Sequence, residues 1–198
     1  MIYNINNNET LMSFEKITEE SKKLASNKPN IETLNNIIET EAYLSIDLLS
    51  SGYGKMEILH DFTLKIGKGQ SLCLIGPNGA GKSTILHSIF GLNDIFGGTI
   101  TLDGKNITSL TPHEKLKTSG IAYVLQDSSI FPDMTVEENL WMGGYLESSF
   151  QKSKEITNKI LDKYERLSNR KNEKAKVLSG GERRLLEISR ALIMNPKV

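Results

Sequence analysis

Cysteine is almost missing from the sequence: there is one in 198 residues, Cys73. A single thiol excludes an internal disulfide and points to a reducing compartment. Charge of neither sign is in excess, with 24 Lys and Arg against 24 Asp and Glu. That balance gives no support to a nucleic-acid partner or a polybasic membrane contact. No run of 18 apolar residues occurs, so nothing reads as a membrane span. The Asn-rich start, Met1 to Glu9, lacks the basic and apolar regions of a signal peptide. CxxC, HExxH and triad-like patterns are missing too, and His60, His87 and His113 are scattered, suggesting neither metal nor catalysis.

Glycine is absent from residues 1–44, which carry seven Glu against four Lys, a net of −3; the remainder carries +3. We place a boundary there: an N-terminal extension over residues 1–44, and a domain over 45–198. Leu11, Phe14, Ile17 and Leu24, then Ile31, Leu34, Ile37 and Ile38, recur at roughly helical spacing around Lys28-Pro29-Asn30. Two short amphipathic helices and a poorly ordered tail fit this segment equally.

From Tyr43 the pattern is α/β. Tyr43–Leu49 and the alternating Phe62, Leu64 and Ile66 read as strands, with a turn at Gly67-Lys68-Gly69. Ser71–Ile75, with Cys73 as a small core residue, and Ile121–Leu125 read as buried strands. Thr99–Leu102 is a further strand, turning at Asp103-Gly104. Helices are expected over residues 82–90, from the Thr135/Glu138 capping box, over Ser153–Leu167, and over Ser179–Met194.

Between the run ending at Ile75 and the helix from residue 82 lies Gly76-Pro77-Asn78-Gly79-Ala80-Gly81-Lys82-Ser83-Thr84, which matches G-x-x-x-x-G-K-[ST]. Glycines let the backbone turn its N–H groups inward as an anion nest, and the helix adds its positive end. Lys82 is expected to reach the β- and γ-phosphates, Ser83 to ligate Mg²⁺, and Thr84 to add a phosphate contact. The four fixed positions arise by chance in roughly 1% of chains this long. The strand–loop–helix context lowers that further, so nucleotide binding is the reading.

Leu178-Ser179-Gly180-Gly181-Glu182 precedes the last helix. Ser179-x-x-Glu182 is a capping box, yet two glycines in a first turn are unfavourable where Ala or Glu would serve. A bare glycine backbone with a serine hydroxyl makes a second phosphate-binding helix end. Two chains arranged head to tail could bring both ends to one γ-phosphate.

With these motifs in place, residues 43–198 resemble the ATP-binding subunits of ABC transporters. Gly76–Thr84 corresponds to Walker A and LSGGE at 178–182 to the family signature. Gln126 fits the Q-loop glutamine, and Tyr53 the aromatic residue that stacks on adenine. The resemblance implies a P-loop NTPase of ABC ATPase type, with an antiparallel β subdomain and a helical subdomain. It implies ATP and Mg²⁺ as cofactors, with Lys82 and Gln126 catalytic and Ser83 and Gln126 serving the metal and attacking water. Ser179, Gly180, Gly181 and Glu182 would close on nucleotide held by a second ATP-binding subunit. Transmembrane permease subunits would contact the helical region at about 127–175, where Phe131, Met134 and Trp141 are core or interface. The chain would then be cytoplasmic, peripheral on the inner face of the cell membrane.

Ser51–Lys55, Ser129–Leu140 and the following Trp-Met-Gly-Gly look most like the branched-chain amino acid group, in its shorter, LivF-type subunit. Solute import follows from that resemblance; urea and lipopolysaccharide-export ATPases share parts of the pattern. Asp127-Ser128 departs from the Gly-Arg often found there. The family's next element, an apolar strand ending in the Walker B Asp and the catalytic Glu, has no counterpart before Val198. The expectation is a cassette fragment or truncated product that binds nucleotide but hydrolyses it poorly alone. About a hundred residues without sustained heptads separate Lys82 from Ser179, which excludes the coiled-coil ATPases of chromosome maintenance. A non-transport nucleotide-binding or regulatory module remains the alternative.

Overall fold

The computed structural model of the chain describes residues 42–126, 129–147 and 149–198. The two helices or tail expected before residue 42 lie outside the described residues. Four strands form one antiparallel sheet in the order β2-β1-β3-β4: β1 Ala42–Tyr53, β2 Met56–Gly67, β3 Asp94–Leu102 and β4 Lys105–Asn106. Both long strands of the first hairpin run well beyond the segments their alternation marks. Ile46 sits opposite Leu64 on one side and Ile100 on the other, so apolar side chains stack across the sheet.

Helix α1, Lys82–Phe90, lays Ile85 and Ile89 on that sheet, joining Leu44, Ile46, Leu49, Leu59, Ile100, Leu102, Ile107 and Ile121 in one core. Each such buried side chain contributes about 1.5–3 kcal/mol. Beneath α1 this core holds one polar patch: Ser51 and Ser88 share a hydrogen bond of 2.8 Å, and Ser88 Oγ donates to Thr84 O at 2.8 Å. A short helix, α2 (Pro112–Glu114), opens on a Thr111/Glu114 capping box and runs into a wide turn, Lys115–Ser119. Lys115 is fully buried there, and its ammonium donates to Ser88 O at 3.1 Å, capping the last turn of α1.

The second core belongs to helices α3 (Val136–Gly143), α4 (Phe150–Lys163), α5 (Glu165–Ser168) and α6 (Gly180–Leu192), with Val136, Leu140, Ile160, Leu161, Leu167, Leu186 and Ile193 buried together. α3 starts on the expected Thr135/Glu138 box. The helix expected over Ser153–Leu167 begins earlier, capped by Ser149, and breaks at Tyr164 (φ −119°, ψ 83°); the bend delivers Leu167 to the core. Gly143 is required where α3 crosses α6, because a Cβ there would collide with the Arg190 backbone.

Two expected buried strands differ. Among the described residues, Ser71–Ile75 forms no ladder; Ile75 is 91% exposed, and Cys73 is exposed rather than a core residue. Ile121 is buried, but Leu125 is 44% exposed and residues 121–125 form no assigned strand. The cause is pairing: an apolar run becomes a central strand only when neighbours take its N–H and C=O groups. Pairing starts at one point, where Lys197 N and Val198 N donate to Gly120 O (2.7 and 3.2 Å) and Ala122 N donates to Val198 O (2.8 Å). This is a parallel arrangement.

Candidate nucleotide-binding site

The loop 76–81 runs into α1 with Gly81 as N-cap in the left-handed region (φ 82°) and no side chain capping the helix. The first amides of α1 are therefore not occupied by a capping side chain, the arrangement that attracts an anion. Gly79 also has positive φ, 83°, and a Cβ on Gly81 would lie 2.9 Å from Leu59 Cδ2. Ala80 N donates to Pro77 O at 3.3 Å, tightening the loop. Lys82 folds back over it, donating to Gly76 O at 2.8 Å and Pro77 O at 2.6 Å. Asn78 stands exposed in the turn, Ser83 is exposed on the first turn of α1, and Thr84 is buried.

Tyr53 ends β1 and is 41% exposed, and its hydroxyl shares a 2.6 Å hydrogen bond with His87 Nδ1 on α1. Gly54 N donates to Asp94 Oδ2 at 2.8 Å and fixes the hairpin tip. Burial, then the neighbouring Tyr53, push the Tyr123 hydroxyl above its ordinary value. His87, set aside in the sequence as one of three scattered histidines, is thus brought onto a proposed site residue.

Gln126 is exposed, and α6 holds the backbone around it. Arg184 Nη1 donates to Leu125 O at 2.8 Å; Glu187 Oε1 accepts from Ser129 N at 2.8 Å; Arg190 Nη2 donates to Ser129 Oγ at 3.1 Å. Sequence reading missed all three. Their signal is a polar side chain every third residue along α6, with Glu187 on a face that is otherwise buried.

Ser179 caps α6, accepting from Glu182 N at 3.3 Å while its own N–H donates to Glu182 Oε2 at 2.8 Å. The Ser179 N–H, then its hydroxyl, hold the Glu182 carboxyl below its usual range, helped by Arg170 and Arg166. Ser179, Gly180 and Gly181 are exposed, and no atom lies within 4 Å of a Cβ built on either glycine. The phosphate loop stands on the first core and this helix end on the second.

The family model describing ABC transporters matches residues 59–198. The chain belongs to the ABC transporter family. Among ABC relatives, it is 38% identical over 155 residues to the high-affinity branched-chain amino acid transport ATP-binding protein BraG of Pseudomonas aeruginosa, covering 78% of this chain and 66% of that protein. It is 41% identical over 150 residues to the probable branched-chain amino acid transport ATP-binding protein LivF of Archaeoglobus fulgidus, covering 76% and 63%. The matched stretch thus spans just under two thirds of each relative's length. Among solved structures, a nucleotide-free ATP-binding cassette from an ABC transporter superposes with a TM-score of 0.67 at 32% identity, covering 78% of this chain and 66% of that one. An ABC cassette in its ADP conformation gives 0.68 at 33%, covering 79% and 66%. The antiparallel sheet and helical subdomain are those of an incomplete ABC ATPase domain. No helix among the described residues is long and apolar enough to cross a membrane.

Proposed function

We propose that this chain binds MgATP as the nucleotide-binding subunit of an ABC transporter, with the N-terminal extension outside the cassette ending before β1 begins at Ala42 rather than at residue 44. The observation that supports this most is the phosphate loop: uncapped amides at the start of α1, two glycines at positive φ, and Lys82 over the loop carbonyls. The residues present fit the metal as well. Ser83 offers an exposed hydroxyl beside the expected phosphates and Gln126 an exposed amide, the oxygen donors a hard cation takes. Bound there, Mg²⁺ would neutralise phosphate charge. Lys82 would hold the β- and γ-phosphates, Tyr53 the adenine, and Gln126 would orient the attacking water.

Hydrolysis in this reading belongs to a head-to-tail pair, in which Ser179 and Gly181 of one subunit close on the phosphate of the other. The open, exposed face at Gly180 and Gly181 supports that approach. Branched-chain amino acids as the transported solute rest on the relatives' names; a permease partner, peripheral placement on the inner face of the membrane and import rest on the family resemblance alone. The test is a fluorescent-ATP titration in Mg²⁺: Lys82→Ala should abolish or greatly weaken binding, and unchanged affinity would sink the assignment. Co-purification with branched-chain amino acid permeases tests the transport reading; recovery of a lipopolysaccharide-export permease instead would favour the export alternative.

A further inference from the structure

The exposed ring of Tyr53 is not left to rotate. Its hydroxyl meets His87 Nδ1 at 2.6 Å, with the two rings nearly perpendicular (87°) and 6.1 Å apart. His87 is itself fixed: the ring of Tyr123 packs edge-on against it at 5.6 Å, and Phe90 backs Tyr123 at 5.5 Å. The His87 carbonyl accepts from Gly91 N at 2.7 Å and Leu92 N at 2.8 Å, so its backbone is held in the last turn of α1. His87 lies four residues beyond Ser83, about 6 Å along the same helix. One rod therefore carries the phosphate-binding amides at its start and the anchor of Tyr53 further along.

We propose that His87 is a positioning residue for the nucleobase: it fixes the Tyr53 ring in one orientation, leaving a face preorganised to stack on adenine. The inference rests on the ATP-binding reading above and adds the residue that sets its base contact. An aromatic ring already ordered before the ligand arrives loses less freedom on stacking, which appears as affinity. The phosphates are held by other groups, so His87 acts on the base alone.

Isothermal titration of the full chain with MgATP and, separately, with inorganic tripolyphosphate tests this. His87→Ala should weaken ATP binding by about 3- to 10-fold, the worth of one hydrogen bond, and leave tripolyphosphate unchanged. His87→Asn places an amide where Nδ1 stood and should restore most of the loss; His87→Gln, which reaches further, should not. Tyr53→Phe should reproduce His87→Ala, and the double variant should add nothing. Equal losses for both ligands would make His87 a support of α1 only and overturn the proposal. So would unchanged ATP affinity in His87→Ala, or additive losses in the double variant. If Tyr53→Ala leaves ATP affinity intact while tripolyphosphate still binds, the base is not on Tyr53; the inference falls and the phosphate loop stands. If the unsubstituted chain binds neither ligand, the nucleotide reading fails and the inference with it.

Discussion

Glu187 Oε2 accepts a hydrogen bond of 2.9 Å from Arg184 Nη1, and together the two side chains grip both flanks of Gln126. Arg184 takes the Leu125 carbonyl on one side; the other oxygen of Glu187 takes the Ser129 amide. Glu187 is buried while Arg184 reaches the surface, so the carboxylate depends on these two donors. Removing it leaves the Ser129 amide without its acceptor and the Arg184 guanidinium with the Leu125 carbonyl alone. Glu187→Ala should therefore cost about 1–3 kcal/mol in urea unfolding. Glu187→Gln keeps an oxygen for Ser129 and should cost less. Hydrogen exchange at the Ser129 amide should accelerate in the Ala variant; unchanged protection would show that the contact does not hold that backbone.

Lys115 gives a stability profile of unusual sign. Burial lowers its pKa from 10.5 to about 8 in the folded chain. The unfolded chain then binds more protons between about pH 8 and 10.5, so stability rises with pH across that window. Each pKa unit corresponds to about 1.4 kcal/mol, so the gain is on the order of 3 kcal/mol. Lys115→Met removes the titrating group. Denaturant unfolding at a series of pH values should show that rise in the wild type and not in the variant.

The phosphate loop makes a prediction about its backbone. Gly81→Ala places a Cβ at φ 82° and 2.9 Å from Leu59 Cδ2. Strain in that region costs of order 1–3 kcal/mol. ATP affinity should fall at least tenfold with a lowered melting temperature. Gly180→Ala, where nothing lies within 4 Å, should leave both nearly unchanged in the isolated chain.

Acid should loosen three helix starts together. Glu114, Glu138 and Glu182 each have a lowered pKa, caused first by the backbone N–H of Thr111, Thr135 and Ser179 and then by the side-chain hydroxyl. A depressed folded pKa means the stabilisation is present above the ordinary value of 4.5 and is lost as pH falls through the folded value. Replacing all three with Gln should flatten the acid limb of thermal unfolding between roughly pH 5 and 3. A limb as steep as the wild type's would place the titration elsewhere.

Those capping boxes show what a sequence carries openly. Thr135/Glu138 and Ser179/Glu182 were legible because donor and acceptor lie three residues apart and an apolar period follows. Thr111/Glu114 has the same chemistry but only a three-residue helix behind it, so no period announced it. The glycine loop was legible for the same local reason. Ser71–Ile75 misled because apolarity reports what a segment prefers to touch, whereas a strand exists only through partners elsewhere in the chain. Tyr53 and His87 stand 34 residues apart, and Lys115 and Ser88 stand 27 apart; no spacing rule joins either pair. Burial of a lysine in particular contradicts its composition-level expectation and becomes sensible only once the end of α1 is seen against it.

The ammonium of Lys82, closed on Gly76 O and Pro77 O, acts as a buckle across its own loop. An arriving phosphate does not find a bare cation; it competes with two carbonyls for one. The measured affinity is the difference between two sets of bonds to the same nitrogen, one neutral and one anionic. Added salt weakens only the anionic set. Ionic strength therefore tilts the loop towards its buckled form, with no change in the fold that carries it.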